Sequence, residues 1–233
     1  MEEIVYILSF WIIYSFFGWI IEVIYCTFKD GYFVNRGFLN GPCVPIYGFG
    51  ALIILYFLDR YIDNLFYIFM FGVILTSALE YFTSWFLEVC FKLKLWDYSK
   101  YFMNLNGRIC LLNSTLFGLL CVVLVKFIHP VVDNFIYKID FNVLKNIVMI
   151  ILILMLADFV FSVLGTLGLK NRLIKADELR LKFEQSNQKL KRSFIKKLGK
   201  LKYNEKRILK SFPHIKSEKF QYLLEEIKNS IKK

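Results

Sequence analysis

The sequence is poor in the residues that build metal and disulfide sites. Its two histidines, His129 and His214, lie far apart, and its five cysteines (Cys26, Cys43, Cys90, Cys110, Cys121) form no Cys-x-x-Cys pair. A metal centre needs clustered ligands and a disulfide framework needs paired, spaced thiols, so both are disfavoured and the cysteines read as buried, reduced thiols. No metal or other cofactor is expected. No G-x-x-x-x-G-K-[ST] loop occurs either, so a Walker-type phosphate cradle is missing and the chain is not itself an ATPase. The opening MEEIVY is acidic where a secretory signal carries basic residues, and no small-residue cleavage site follows the first apolar run; a cleaved signal is not expected.

What is abundant is apolar. Hydrophobic residues make up 57% of the 233-residue chain and aromatic residues 18%, more than a soluble domain of this size requires. An all-α integral membrane protein is the fold class these numbers imply. Charge is segregated along it. Residues 1–169 carry 10 Lys/Arg against 12 Asp/Glu, a net −2, whereas residues 170–233 carry 20 against 7, a net +13. This divides the chain into a transmembrane domain, 1–169, and a basic amphipathic helical tail, 170–233.

A bilayer core takes about 20 apolar helical residues to cross. Five stretches are candidates: Ile4–Phe28, Val44–Leu58, Leu65–Phe91, Leu111–Ile128 and Ile147–Leu169. The second is short and begins in a Gly/Pro-rich segment, which allows a partly re-entrant path. PVVDNFIYKID, from Pro130, reads as an interfacial turn. With the tail in the cytoplasm, five crossings put the N-terminus outside. Inner loops then hold Lys29, Arg36, Lys92, Lys94, Lys100 and Arg108, against Arg60, Lys126, Lys138 and Lys145 outside, a modest positive-inside bias that the tail reinforces.

Acids inside the spans are informative, because each costs about 2.5–3.5 kcal/mol at a helix centre on insertion scales. They fall on helical faces: Ser15, Gly18, Glu22 and Tyr25 in the first span; Ser77, Glu80, Ser84 and Glu88 in the third; Asp158, Ser162, Gly165 and Thr166 in the fifth. Span four adds a weaker face of Ser114, Gly118 and Cys121. Two readings fit such stripes. They are packing devices in which small residues let helices approach and polar groups bond across, or they line a polar cavity. Glu22 and Glu88 lie toward one membrane side, which favours a cytoplasm-facing pocket.

Between the first two spans lies NRGFLNGPCVPIYGFG, residues 35–50, with four of the chain's 12 glycines and two of its 4 prolines. Non-helical backbone at membrane depth is tolerated only where protein buries it or water reaches it. Arg36 is placed to reach Glu22 or Glu88, and its forked guanidinium suits that better than an ammonium. The next inner loop, LWDYSKYFMNLNGRICL, offers Asp97, Asn104, Asn106 and Arg108, with Trp96, Tyr98 and Tyr101 suited to the headgroup layer. Arg108 alternatively snorkels to phosphates.

These segments also carry a family resemblance. GWIIEVIY, NRGFLNGPCVPIYGFG, EYFTSWFLEVCF, LWDYS and NLNGRICLLNSTLFG occur in order over roughly residues 10–125. The chain here resembles the bacterial family of ABC-transporter permeases of type IV, and more loosely so through the last span and tail. The resemblance implies a multi-span, permease-like membrane protein and brings no substrate or catalytic residue with it. Together with the acidic stripes it makes Glu22, Asn35, Arg36, Tyr47, Glu80, Ser84, Glu88, Asp97, Asn106 and Arg108 the candidate lining of a substrate pocket.

In the tail, Phe183, Leu190, Phe194, Leu198, Leu201 and Ile208 form a coiled-coil-like seam. Pro213 ends that helix, Ser217 and Glu218 start another, and Phe220, Leu223, Leu224, Ile227 and Ile231 give it an apolar face. A helical hairpin, or two helices docked on a partner, is expected. Its charge favours anionic lipid, at about 1 kcal/mol per basic residue near the surface, over nucleic acid.

Three functions remain in view. The leading one is a transport component in the bacterial cytoplasmic membrane, pairing as a homodimer to enclose a pathway and using a separate ATPase docked on the inner loops and tail. The alternatives are a membrane scaffold or regulator acting through the tail, and an intramembrane enzyme on lipid-linked substrates with its glutamates as acid/base groups. The abundance of Ile, Lys, Asn and Phe fits an AT-rich bacterial genome.

Overall fold

The computed structural model describes residues 2–58, 63–183, 201–217 and 219–231, with side chains described outside 179–183, 230 and 231. Its regular structure is helical, and the only strand-like pairings among the described residues are two isolated bridges. Among the described residues, four helices are long and apolar enough to cross a membrane: α1 (Glu2–Asp30), α3 (Leu65–Phe91), the composite Leu111–Ile136, and α6 (Phe141–Phe183) over its Phe141–Glu178 part. About five spans were expected, the second of them short. The second, α2 (Pro45–Leu58), has 14 residues, about 21 Å at 1.5 Å per residue against a core of about 30 Å.

The shortfall is made up by extended chain. The Val44 amide donates to the Ser15 carbonyl at 2.9 Å, so the segment after α1 has returned to the middle of that helix before α2 begins. From there α2 runs antiparallel to α1. A Cβ on Gly18 would collide with the Tyr47 side chain, and one on Gly48 with Ser15 and the Trp11 carbonyl. Glycine at both positions is what lets the two helices touch. The return path along α1 is therefore half irregular segment and half helix.

The composite span also differs from expectation. It consists of α4 (Leu111–Val123), a π-helical turn at Leu124–Ile128 and α5 (His129–Ile136). Pro130 offers no N–H to the preceding turn, and the wider π turn beside it absorbs that loss without ending the helix. The stretch read as an interfacial turn is thus helical to Ile136. Asp140 then starts α6, its Oδ1 accepting from the Asn142 and Val143 amides at 2.9 and 3.2 Å. At the start of α3 Asn64 does the same for Phe66 and Tyr67.

α6 continues without a break through residues 169–170. Beyond it, α7 (Tyr203–Ser211) and α8 (Gln221–Ile231) flank Pro213, as the sequence indicates. Leu201, Ile208, Phe220, Leu223, Leu224 and Ile227 are buried in one core with Phe91, Leu93, Leu95, Leu169 and Leu173. Each such side chain contributes about 1.5–3 kcal/mol when fully buried, and Lys94 and Lys216 exchange both backbone bonds at 2.9 Å beside them. The described tail thus packs on its own membrane domain. Leu190, Phe194 and Leu198 of the seam, and the side chains of Phe183 and Ile231, lie outside the described residues.

Candidate functional site

A cavity of about 600 Å³ lies inside the bundle, walled by α1, α2, α3, α4 and α6. Most of its lining is apolar or aromatic, with Trp11, Tyr14, Phe17, Phe117 and Phe159 among the walls. Its charged lining residues among those described are Glu22, Arg36 and Glu80. They gather at the end facing the 92–110 loop and α7. Arg36 Nε lies 3.4 Å from Glu22 Oε2, and the Tyr47 hydroxyl, set over Gly18, donates to Glu22 Oε1 at 2.9 Å. The Tyr98 hydroxyl donates to Glu80 Oε1 at 3.2 Å. Burial, followed by the nearby Glu80 and Glu22 carboxyls, pushes the Tyr98 phenol well above its ordinary value, which keeps it a donor. Glu80 itself is only 7% exposed, and its Oε2 has no partner among the described residues.

The floor of this end is built by the irregular segment and the tail together. Arg36 donates to the Ser211 carbonyl at 3.1 Å and its guanidinium sits 4.5 Å from the Phe212 ring centroid; Phe212 lines the cavity. The segment's backbone is held by two opposite charges. Asp158 on α6 accepts from the Asn40 and Gly41 amides at 3.0 and 2.7 Å and from the Asn40 side chain at 2.7 Å. Arg207 on α7 donates to the carbonyls of Phe38, Leu39 and Gly37 at 2.6, 2.8 and 3.4 Å. Ser162 joins the two, accepting from Arg207 at 3.0 Å and donating to Asp158 at 3.3 Å. Amides go to the carboxylate and carbonyls to the guanidinium, so irregular backbone is satisfied where water is scarce. Arg172 and Glu205, paired at 3.0 Å, brace α7 against α6.

Of the ten candidates, Glu22, Arg36, Tyr47 and Glu80 line the cavity; the other six lie around it. Glu88 pairs with Arg108 at 2.6 Å rather than with Arg36. Asn35 accepts from the Trp19 indole at 2.9 Å, and Asn106 donates to Tyr81 at 2.8 Å while its carbonyl takes the Lys94 ammonium. Ser84 is buried on α3. Asp97 accepts from Ser99 and from Lys216 in the tail, with Lys94 alongside at 3.3 Å. Burial pushes its carboxyl up, but the hydrogen bonds from Lys216, Ser99 and Lys94 outweigh this and hold it well below the usual carboxylate range.

Three contributors were not singled out from the sequence. Tyr98 and Trp96 read as headgroup anchors, yet both line the cavity. Arg207 was one of many basic tail residues; the available signal was its place next to Ile208, an arginine beside an apolar seam rather than on its solvated side.

A family model described as “Putative ABC-transporter type IV” matches residues 9–163. The chain belongs to that family. The match takes in α1 to α5, the irregular segment and Asp158 and Ser162, and it stops before Arg207. No curated protein and no solved structure matches the chain. As a member of the ABC-transporter type IV family, the chain is a membrane component related to ABC transport.

Proposed function

We propose that this chain is the permease-like subunit of a transport system, with any ATPase on a separate polypeptide. The observation that carries the reading is the cavity: about 600 Å³, apolar along its length and polar at one end where Glu22, Arg36, Glu80 and Tyr98 meet. We place that end toward the cytoplasm of a bacterial cell, with the N-terminus outside. The 92–110 loop and the docked α7 and α8 then form one continuous inner surface on which an ATPase subunit would sit. Movement of that surface would reach the cavity directly, because Phe212, at the end of α7, lines the cavity and packs on Arg36. A scaffold acting through a free tail is less favoured, since the apolar faces of α7 and α8 are covered by the chain itself.

The test is purification of the intact protein in mild detergent with mass spectrometry of what co-elutes. A stoichiometric ATPase subunit is the expected result. A lipid-modifying or signalling partner in its place, with no ATPase recovered, would overturn the proposal.

A further inference from the structure

The charge balance of the cavity specifies a ligand class. Glu22 is satisfied, with Arg36 at 3.4 Å and the Tyr47 hydroxyl at 2.9 Å. Arg36 is in turn committed to Glu22, the Ser211 carbonyl and the Phe212 ring. No cation is left over for an anionic ligand among the described lining residues. Glu80 is the acid left over, with one hydroxyl partner at 3.2 Å and a second oxygen with none; the Trp11 indole N–H is the other buried lining atom without a partner among the described residues. A neutral apolar ligand would leave that carboxyl oxygen unpaired in a drier cavity, which is costly, and an anionic one would meet a buried carboxyl with no cation beside it. A cation supplies what is missing. The aromatic walls of Trp11, Phe17 and Phe117 suit an apolar body and also attract positive charge through their ring faces.

We infer that the cavity is a binding site for amphiphilic organic cations, with the positive centre at Glu80 and the apolar body along the aromatic wall between α1 and α4. This rests on the permease reading and gives it a substrate class. The arrangement disfavours lipophilic anions of the same shape, because the one cation at the polar end, Arg36, is committed to Glu22, the Ser211 carbonyl and the Phe212 ring.

The test uses two ions that share four phenyl rings and differ in sign, tetraphenylphosphonium and tetraphenylborate. Binding of each to the purified wild-type chain in mild detergent is measured as the fraction displaced by excess unlabelled ion. Saturable phosphonium binding, at least tenfold tighter than borate, is expected. Glu80→Gln should weaken phosphonium binding tenfold or more, while Glu225→Gln, an exposed acid on α8, leaves it within twofold. Equal affinity for the two ions, preference for borate, absence of displaceable phosphonium binding, or an unchanged Glu80→Gln would each overturn the inference. The wild-type comparison decides the sign even if Glu80→Gln fails to fold. Failure here with an ATPase subunit co-purifying would remove the cation and leave the permease; phosphonium binding without an ATPase would do the reverse.

Discussion

Arg207→Ala removes the donor side of the clasp on the irregular segment. Four acceptors lose their partner: the carbonyls of Gly37, Phe38 and Leu39 and the Ser162 hydroxyl. Arg207 is 9% exposed, so water does not readily replace it. A hydrogen bond from a charged donor contributes about 1.5–3 kcal/mol, and such bonds within one side chain are not additive. Breaking a buried charged network by deleting one partner costs about 3–5 kcal/mol, and that is the range expected for docking of α7. Since about 1.4 kcal/mol is tenfold in an equilibrium constant, the undocked fraction should rise by roughly two to three and a half powers of ten. Trypsin cleavage after Lys206 and Lys210 reads this directly, because cleavage of a briefly opened segment tracks its population when reclosing is fast. At least a hundredfold faster cleavage is expected in Arg207→Ala. Arg207→Lys should fall between, its single ammonium being unable to span three carbonyls and a hydroxyl. Cleavage within threefold of wild type would refute the idea that Arg207 holds the segment and tail together.

Gly48→Ala should lower stability by about 1–3 kcal/mol through overpacking against Ser15 and Trp11. Gly50→Ala, whose Cβ would stand 3.4 Å from Leu79, should be nearly neutral; equal melting shifts in detergent would contradict the close α1–α2 approach. A double-mutant cycle of Glu88→Ala and Arg108→Ala should return a coupling of about 0.5–3 kcal/mol, given their 2.6 Å contact and side-chain exposures of 19% and 15%; additive effects would argue that Arg108 is only a lipid-facing anchor. Asp97→Asn should loosen the tail at neutral pH. Because the folded carboxyl is held below its unfolded value, its contribution is present above the unfolded pKa and lost as pH falls through the folded one. The difference between Asp97→Asn and wild type should therefore persist through pH 5 and fade only in stronger acid, and a difference already gone at pH 5 would contradict the Lys216–Asp97 contact.

Much of the membrane architecture was legible because hydropathy and helical spacing are local signals. Arg36 was expected to reach Glu22 or Glu88 across one loop, and it pairs with Glu22; the Pro213 break followed from backbone chemistry alone. Asp158 was visible as an acid on a helix face, but its role depends on the amides of Asn40 and Gly41, which lie 118 and 117 positions away. Arg207 is harder still: it meets the segment across about 170 positions of chain, and in a tail with 20 basic residues its charge does not distinguish it. The second stretch was legible as short because its apolar run begins in the Gly/Pro-rich segment, and α2 has 14 residues; the return of that segment to Ser15 before α2 rests on a backbone contact that no local pattern shows. Tyr98 was given to the headgroup layer, since an amphipathic ring suits an interface and a cavity equally well.

A permease of this design requires the polar end of the cavity to open to the side on which the tail docks. Thr83, on the cavity wall beside Glu80, gives the most direct test. Thr83→Cys is placed in right-side-out and inside-out membrane vesicles and treated with an impermeant, positively charged methanethiosulfonate, with the wild-type chain as background. Labelling above background is expected from the cytoplasmic face, protected by tetraphenylphosphonium and faster when Arg207→Ala is added. Labelling from the outer face alone, or none from either face, would contradict that opening.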